Sequence, residues 1–327
     1  MLGVVRERPD AAAPLMHPAL SVILFTTMSG GGYAMLALLG LFGAGGVLSP
    51  DPLSGWIAFV WSLGTVGIGL LSSTLHLGHP ERAWRAFSQW RSSWLSREGV
   101  LAIFTFVPAG IYAIGWLFLG DIWRWVGLVL SLSALATVCA TAMIYASLKP
   151  IRAWHNLWTL PGYLAMGLAS GALWFTLWAE VVPAVEKPAY DFAAIGLVLA
   201  AVIKLIYWHS LDSGAHAATA ESATGLGSFG KVRMLTAPHT EENYLLKEMG
   251  FRIARKHAVK LRRIALIAGF IAPLAAVLAA LLTPHVVDII LLAVATVLNA
   301  IGTVTERWLF FAEAKHTVTL YYGAERA

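Results

Sequence analysis

The chain has 327 residues, of which 13% are charged and 58% hydrophobic, and its mean hydropathy is +0.70. A soluble domain carries about 25% charged and about 45–50% apolar residues, so a water-soluble globule, a disordered chain and a disulfide-rich secreted module are all excluded. The formal net charge of +5 suits the loops of a membrane protein, and nucleic acid need not be invoked as a partner.

Charge-free runs follow one another along the chain at 19–50, 53–80, 99–120, 125–148, 153–179, 192–203, 264–287 and 289–305. Each is taken as the core of a helix crossing hydrocarbon about 30 Å thick. The sixth reaches span length only as 190–209, which draws Lys204 into it. Lipid leaves the backbone helices or closed barrels, and these runs are too long for barrel strands. The predicted fold is an all-α membrane protein, a bundle of eight transmembrane helices. Pro9, Pro14 and Pro18 precede the first run, whose apolar core is too long for a signal-peptide core, so it is read as a retained signal-anchor helix.

The expected organisation is an N-terminal segment 1–18, helices one to six over 19–209, a long loop 210–263, and helices seven and eight with a short tail over 264–327. The first half of the loop is rich in Gly, Ala, Ser and Thr and reads as irregular. Its second half reads as a helix capped by Thr240, with Leu245, Met249 and Ile253 in one stripe. That stripe fits a helix lying on anionic lipid or a docking surface for a partner. Of 23 basic residues, 19 fall on one side of this arrangement, four of them (Arg82, Arg85, Arg91 and Arg97) between helices two and three. The positive-inside rule then predicts that both termini and the long loop are cytoplasmic.

The single cysteine, Cys139, cannot by itself build a disulfide, a zinc site or an iron–sulfur cluster, and is read as a small core residue. Gly167 and Gly171 form a G-x-x-x-G, which predicts close helix packing. Trp84, Trp90 and Trp94 read as an interfacial belt.

Ionisable residues inside a membrane are costly and are usually functional or paired. Here they gather at the predicted cytoplasmic ends: His76 closing helix two, Glu98 opening helix three, Lys204 and His209 in helix six, Glu306 and Arg307 in helix eight, with His316 beyond. His285 and Asp288 are placed in a short loop on the other side. Quinone–quinol exchange needs such a set. Its ring arrives from lipid, and each turnover moves two electrons and two protons. An imidazole can hydrogen-bond a ring oxygen, a carboxyl can trade protons, and an arginine such as Arg82 can hold either. The bland readings are an interfacial histidine, a helix-dipole acid at Glu98, and a structural pair at Glu306 and Arg307.

The segment STLHLGHPERAWRAFSQWRSSWLSREG resembles the membrane anchor subunit of dimethyl-sulfoxide reductase (DmsC). It has LHLG, then Pro80 and Arg82, then Ser-x-Glu at Ser96–Glu98. NLWTLPGYLAMG and ERWLFF are similar to that family more loosely. The loop ESATGLGSFGKVRMLTAPHTEENYLLKEMGFRIARKH is similar to the anchors of sulfite-oxidising molybdoenzymes (SoeC).

The resemblance implies a non-catalytic anchor in the bacterial inner membrane. Its partners would be a molybdopterin catalytic subunit and a ferredoxin-like iron–sulfur subunit, and it would exchange electrons with ubiquinone or menaquinone. It implies that His76, Arg82 and Glu98 serve the quinone site, with Glu306, Arg307 and His209 as supporting candidates. The molybdopterin and clusters belong to the partner subunits, and no haem is expected. Four arginines on the motif-bearing loop place it in the cytoplasm, which favours cytoplasmic sulfite oxidation over reduction of an external sulfoxide. The alternatives are a menaquinol-oxidising dimethyl-sulfoxide reductase anchor, a b-type haem cytochrome with His76 and His209 as one conceivable ligand pair, a small-molecule transporter and a purely structural anchor.

Overall fold

The computed structural model describes residues 18–75, 77, 79–182, 185, 189–213, 218–233, 235–236 and 252–322. Among them are eight helices long and apolar enough to cross a membrane: α1 (Pro18–Ala44), α2 (Pro52–Thr74), α3 (Trp94–Phe118), α4 (Arg124–Ala146), α5 (Thr159–Val181), α6 (Tyr190–Asp212), α7 (Ala258–Ala280) and α8 (His285–Ala312). In lipid the backbone must satisfy its own donors and acceptors, so apolar runs of this length become helices. Their ends are written locally. Asp51 caps α2, its carboxylate accepting from Ser54 N at 2.7 Å, with Pro52 in the first turn. Gly46 and Gly120, both at positive φ, follow the ends of α1 and α3.

Several boundaries differ from the charge-free runs. α3 begins at Trp94, so Glu98 lies inside the helix rather than at its opening. α8 extends through Glu306 and Arg307 to Ala312, because these charges are paired within the bundle. α7 starts at Ala258 and stops at Ala280, since Pro284 adopts an extended conformation and caps α8. His285 and Asp288 are therefore first-turn residues of α8, not loop residues; Asp288 accepts from Thr283 Oγ1 at 2.6 Å. Thr240, Leu245 and Met249 of the predicted loop helix lie outside the described residues; the described part of that stretch holds the short helix Arg252–Lys256 and the start of α7 at Ala258.

α1 is the central helix and touches α2, α4, α5 and α8. Small residues make this possible. A Cβ on Gly40 would sit 2.2 Å from the Gly127 carbonyl of α4, and one on Gly171 of α5 would meet Ala34 and Met35 at 2.6–2.7 Å. The G-x-x-x-G of α5 thus packs on α1. α5 is the second hub and touches α4, α6 and α8. α7 meets α8 where Gly269 faces Gly302, and a Cβ on Gly302 would lie 2.1 Å from Gly269 Cα. There α7 takes one π turn, Ile267–Ile271. Asn299 Nδ2 donates to the Gly269 carbonyl at 2.7 Å, and Asn299 Oδ1 accepts from Ser170 at 2.8 Å. This buried junction joins three helices.

The ends that carry the basic loops are tied together. Trp154 Nε1 donates to Phe310 O, Tyr207 OH to Ala153 O, and Arg255 Nε to Ala312 O, at 2.7–3.0 Å. Arg262 binds Asp212 through two nitrogens at 2.6 and 3.1 Å and Glu313 at 2.8 Å. At the opposite face, Trp116 Nε1 donates to Asp51 O and Trp178 Nε1 to Ser54 O, both at 2.9 Å.

Candidate functional site

Beneath the basic face, ionisable residues of the spans form two buried groups. The first is built around Glu98. It lies one turn into α3, is 5% exposed, and its Oε1 has no hydrogen-bond partner. Its neighbours are hydroxyl-bearing rather than cationic: Thr141 and Tyr145 of α4 and Tyr33 of α1. On the loop side, the 3-10 segment Pro80–Gln89 rests on the start of α3. The absence of a side chain at Gly99 lets Phe87 close over the position next to Glu98; a Cβ there would lie 2.8 Å from the Phe87 ring.

The second group lies where α5, α6 and α8 meet. Lys204, Glu306 and Arg307 are 4%, 0% and 3% exposed. Lys204 forms an ion pair with Glu306 Oε1, and Arg307 Nε lies 3.5 Å from Glu306 Oε2. The cations are also seated on aromatic faces. Arg307 Cζ is 3.8 Å from the Tyr163 ring centre and Lys204 Nζ is 3.9 Å from that of Tyr207. Tyr145 stacks on Tyr163 at 5.7 Å, linking α4 to this group.

A small cavity lies between the two groups, lined by Tyr33, Thr141, Tyr163, Thr303 and Arg307 among others. The hydroxyls of Tyr33, Tyr163 and Thr303 are buried without a partner. A second cavity lies on the far side of Arg307, lined by Tyr163, Lys204, Tyr207, Glu306 and Arg307. Each measures about 10 Å³, about enough for one water.

The other sequence candidates fall differently. His76 lies outside the described residues. Arg82 is on the 3-10 segment, its side chain 55% exposed and 3.7 Å from Glu81, which also holds His79 at 3.0 Å. His209 is exposed near the end of α6 and does not join Lys204; the step of five residues from one to the other turns the helix by about 140°, away from the cluster. The structural pairing expected of Glu306 exists, but its principal partner is Lys204 of α6. Tyr33, Thr141, Tyr145 and Tyr163 were missed. On α4 the signal was present: Ser133, Thr137, Thr141 and Tyr145 recur every fourth residue, and all are buried. Among the described residues, no group of three or more His, Cys, Asp or Glu side chains could hold a metal ion.

Fold and site together define a polytopic helical membrane protein with an uncompensated buried carboxyl beneath a basic face. The chain belongs to the DMSO reductase anchor subunit (DmsC) family, whose profile matches residues 16–323. It is 30% identical to the C subunit of sulfite dehydrogenase from Allochromatium vinosum, over 94% of this chain and 99% of that one. It is 28% identical to the C chain of the anaerobic dimethyl sulfoxide reductase of Escherichia coli, over 48% of this chain and 55% of that one. No solved structure matches. The protein is thus a membrane anchor subunit of the molybdoenzyme type that these relatives represent.

Proposed function

We propose that this chain is the quinone-reactive anchor of a three-subunit complex, carrying electrons from sulfite oxidised on the cytoplasmic side into the quinone pool. The observation that carries the reading is Glu98: a carboxyl almost wholly buried within a spanning helix, with one oxygen unpartnered and no ion pair among the described residues. A carboxyl held this way is placed to exchange protons with a bound hydroxyl or carbonyl rather than to hold the fold together. The similarity to the Allochromatium protein supports sulfite as the oxidised substrate, and the loop arginines support the cytoplasmic side.

The cavity reached from Glu98 through Thr141 takes about one water, so a quinone ring belongs on the lipid side, where α2 ends and α3 begins. In this reading His76 hydrogen-bonds a ring oxygen and Glu98 supplies protons. Arg82, on the exposed segment over the site, holds the loop charge near the partner's docking surface. Two electrons arrive from an iron–sulfur cluster of the partner subunit and two protons come through the bundle, giving one quinol for each sulfite oxidised.

The test uses the intact complex in membranes. Glu98→Gln and His76→Ala are expected to cut sulfite-dependent quinone reduction by about 10²-fold or more, while a soluble dye still takes electrons from the catalytic subunit at the parental rate. Equal loss of both activities, or parental quinone reduction in Glu98→Gln, overturns the assignment. Replacing sulfite with dimethyl sulfoxide and quinol in the same assay decides between the two substrate classes.

A further inference from the structure

The proposed quinone site leaves the second buried group without a task. Lys204, Glu306 and Arg307 are too deep to touch lipid, being at most 4% exposed. They also lie across a cavity from Glu98 rather than beside it. Glu98 itself is sealed on the loop side by Phe87 over Gly99. A carboxyl that gives up protons in every turnover needs a way to regain them, and Glu98 is only 5% exposed.

The two cavities meet at one place. Tyr163, Met166 and Arg307 line both of them. Of these three, Tyr163 alone has a group that can both accept and donate a proton, and its hydroxyl is buried without a partner. On the Glu98 side, the first cavity is lined by Thr141, the hydroxyl neighbour of the Glu98 carboxyl, and by the unpartnered Tyr33 hydroxyl. On the other side, the second cavity is lined by Glu306. Beyond it, Glu313 interacts electrostatically with Lys204, and Arg262 connects Glu313 to Asp212, whose side chain is 61% exposed at the basic face.

We propose that Tyr163, with one water in each flanking cavity and Glu306 as the inner carboxyl, forms a proton relay between Glu98 and the basic face. The inference rests on the quinone-site reading above. In each quinone reduction two protons leave Glu98 in turn. Each is replaced by one that enters at the Asp212–Glu313 end, passes Glu306, and moves through the Tyr163 hydroxyl by forming one O–H bond as another breaks. No electron travels this route and no charge accumulates on it. Lys204 and Arg307 are positioning residues. They hold the Glu306 carboxylate in a membrane-buried site, and the Tyr163 ring is held in turn by the guanidinium at 3.8 Å.

The discriminating variant is Tyr163→Phe. It removes one oxygen while keeping the ring beneath Arg307 and against Tyr145. In the intact membrane complex, sulfite-dependent quinone reduction is expected to fall about tenfold or more and its solvent deuterium isotope effect to rise, with dye-linked activity at the parental level. Glu306→Gln is expected to do the same, and Glu306→Asp to restore part of the rate. Parental quinone turnover and isotope effect in Tyr163→Phe, with Glu98→Gln inactive, overturn the relay and leave the quinone site standing. Loss of membrane-bound dye activity in Tyr163→Phe shows a structural role and also overturns it. Full quinone turnover in Glu98→Gln removes the quinone site itself.

Discussion

Glu98 and Glu306 are two buried carboxyls handled in opposite ways. Burying an ionised carboxylate without compensation is prohibitive, and the usual remedy is a cation with good geometry. Glu306 has two, Lys204 and Arg307. Glu98 has hydroxyl neighbours instead, an arrangement suited to a group that trades protons with a bound ring. A residue outside the spans makes a second titration argument. His316 follows α8, packs edge-on against Trp154 at 5.2 Å, and is held below its ordinary pKa by burial and by Arg255. The docked tail therefore prefers the neutral imidazole. Above the free value of about 6.5 the ring is neutral whether docked or released, and docking is at full strength. As pH falls through that value the released form gains a proton that the docked form resists, so docking weakens. The protection of amides across 313–322, taken relative to their intrinsic exchange rates at each pH, should fall between about pH 7.5 and about pH 5.5, and His316→Phe should flatten the change. Protection that does not respond to pH in the parent protein contradicts this.

At the level of helices, tight backbone approach sets the packing. The crossing of α7 and α8 has no room for a side chain, because a Cβ at Gly302 would run into the Gly269 backbone at 2.1 Å. Gly302→Val should therefore destabilise the purified protein by roughly 1–3 kcal/mol, the scale of overpacking, seen as a lower midpoint of thermal unfolding in detergent. Gly64→Ala on the exposed side of α2, with nothing within 4 Å, should leave the midpoint unchanged or slightly raised. Equal shifts in the two variants would count against backbone contact as the cause.

The sequence made the existence of all eight spans readable, and the depth of Glu98, Lys204 and Glu306, because absence of charge measures length along a helix axis. It did not reveal rotation about that axis. That is why His209 and Lys204, read at one depth, lie on different sides of α6, one exposed and one buried, and why the Lys204–Glu306 partnership was not foreseen. The π turn in α7 was hidden for another reason. It depends on Asn299 and Gly302 of a different helix, and no local propensity in IAGFI encodes it.

For the molecule as a whole, eight spans place the start of α1 and the end of α8 on one face, which also carries most of the basic residues. The proposed cytoplasmic orientation of that face is open to direct measurement. With Cys139 replaced by Ala, single cysteines at Ser88 and at Gly120 should report opposite sides. A membrane-impermeant maleimide should label the first only in inverted vesicles and the second only in right-side-out ones. The reverse pattern would move the electron donor to the periplasm and with it the proposed substrate.

Lys204 and Glu306 are joined in the finished bundle but are made about a hundred residues apart during synthesis. When α6 leaves the translocon its ammonium has no counter-ion, and an unpaired lysine inside a spanning helix is costly. The nascent polypeptide meets this only by lifting the lysine toward the headgroups until the last helix arrives. A chain that stops short of Glu306 thus leaves this charge without its partner, so the last helix completes the sixth.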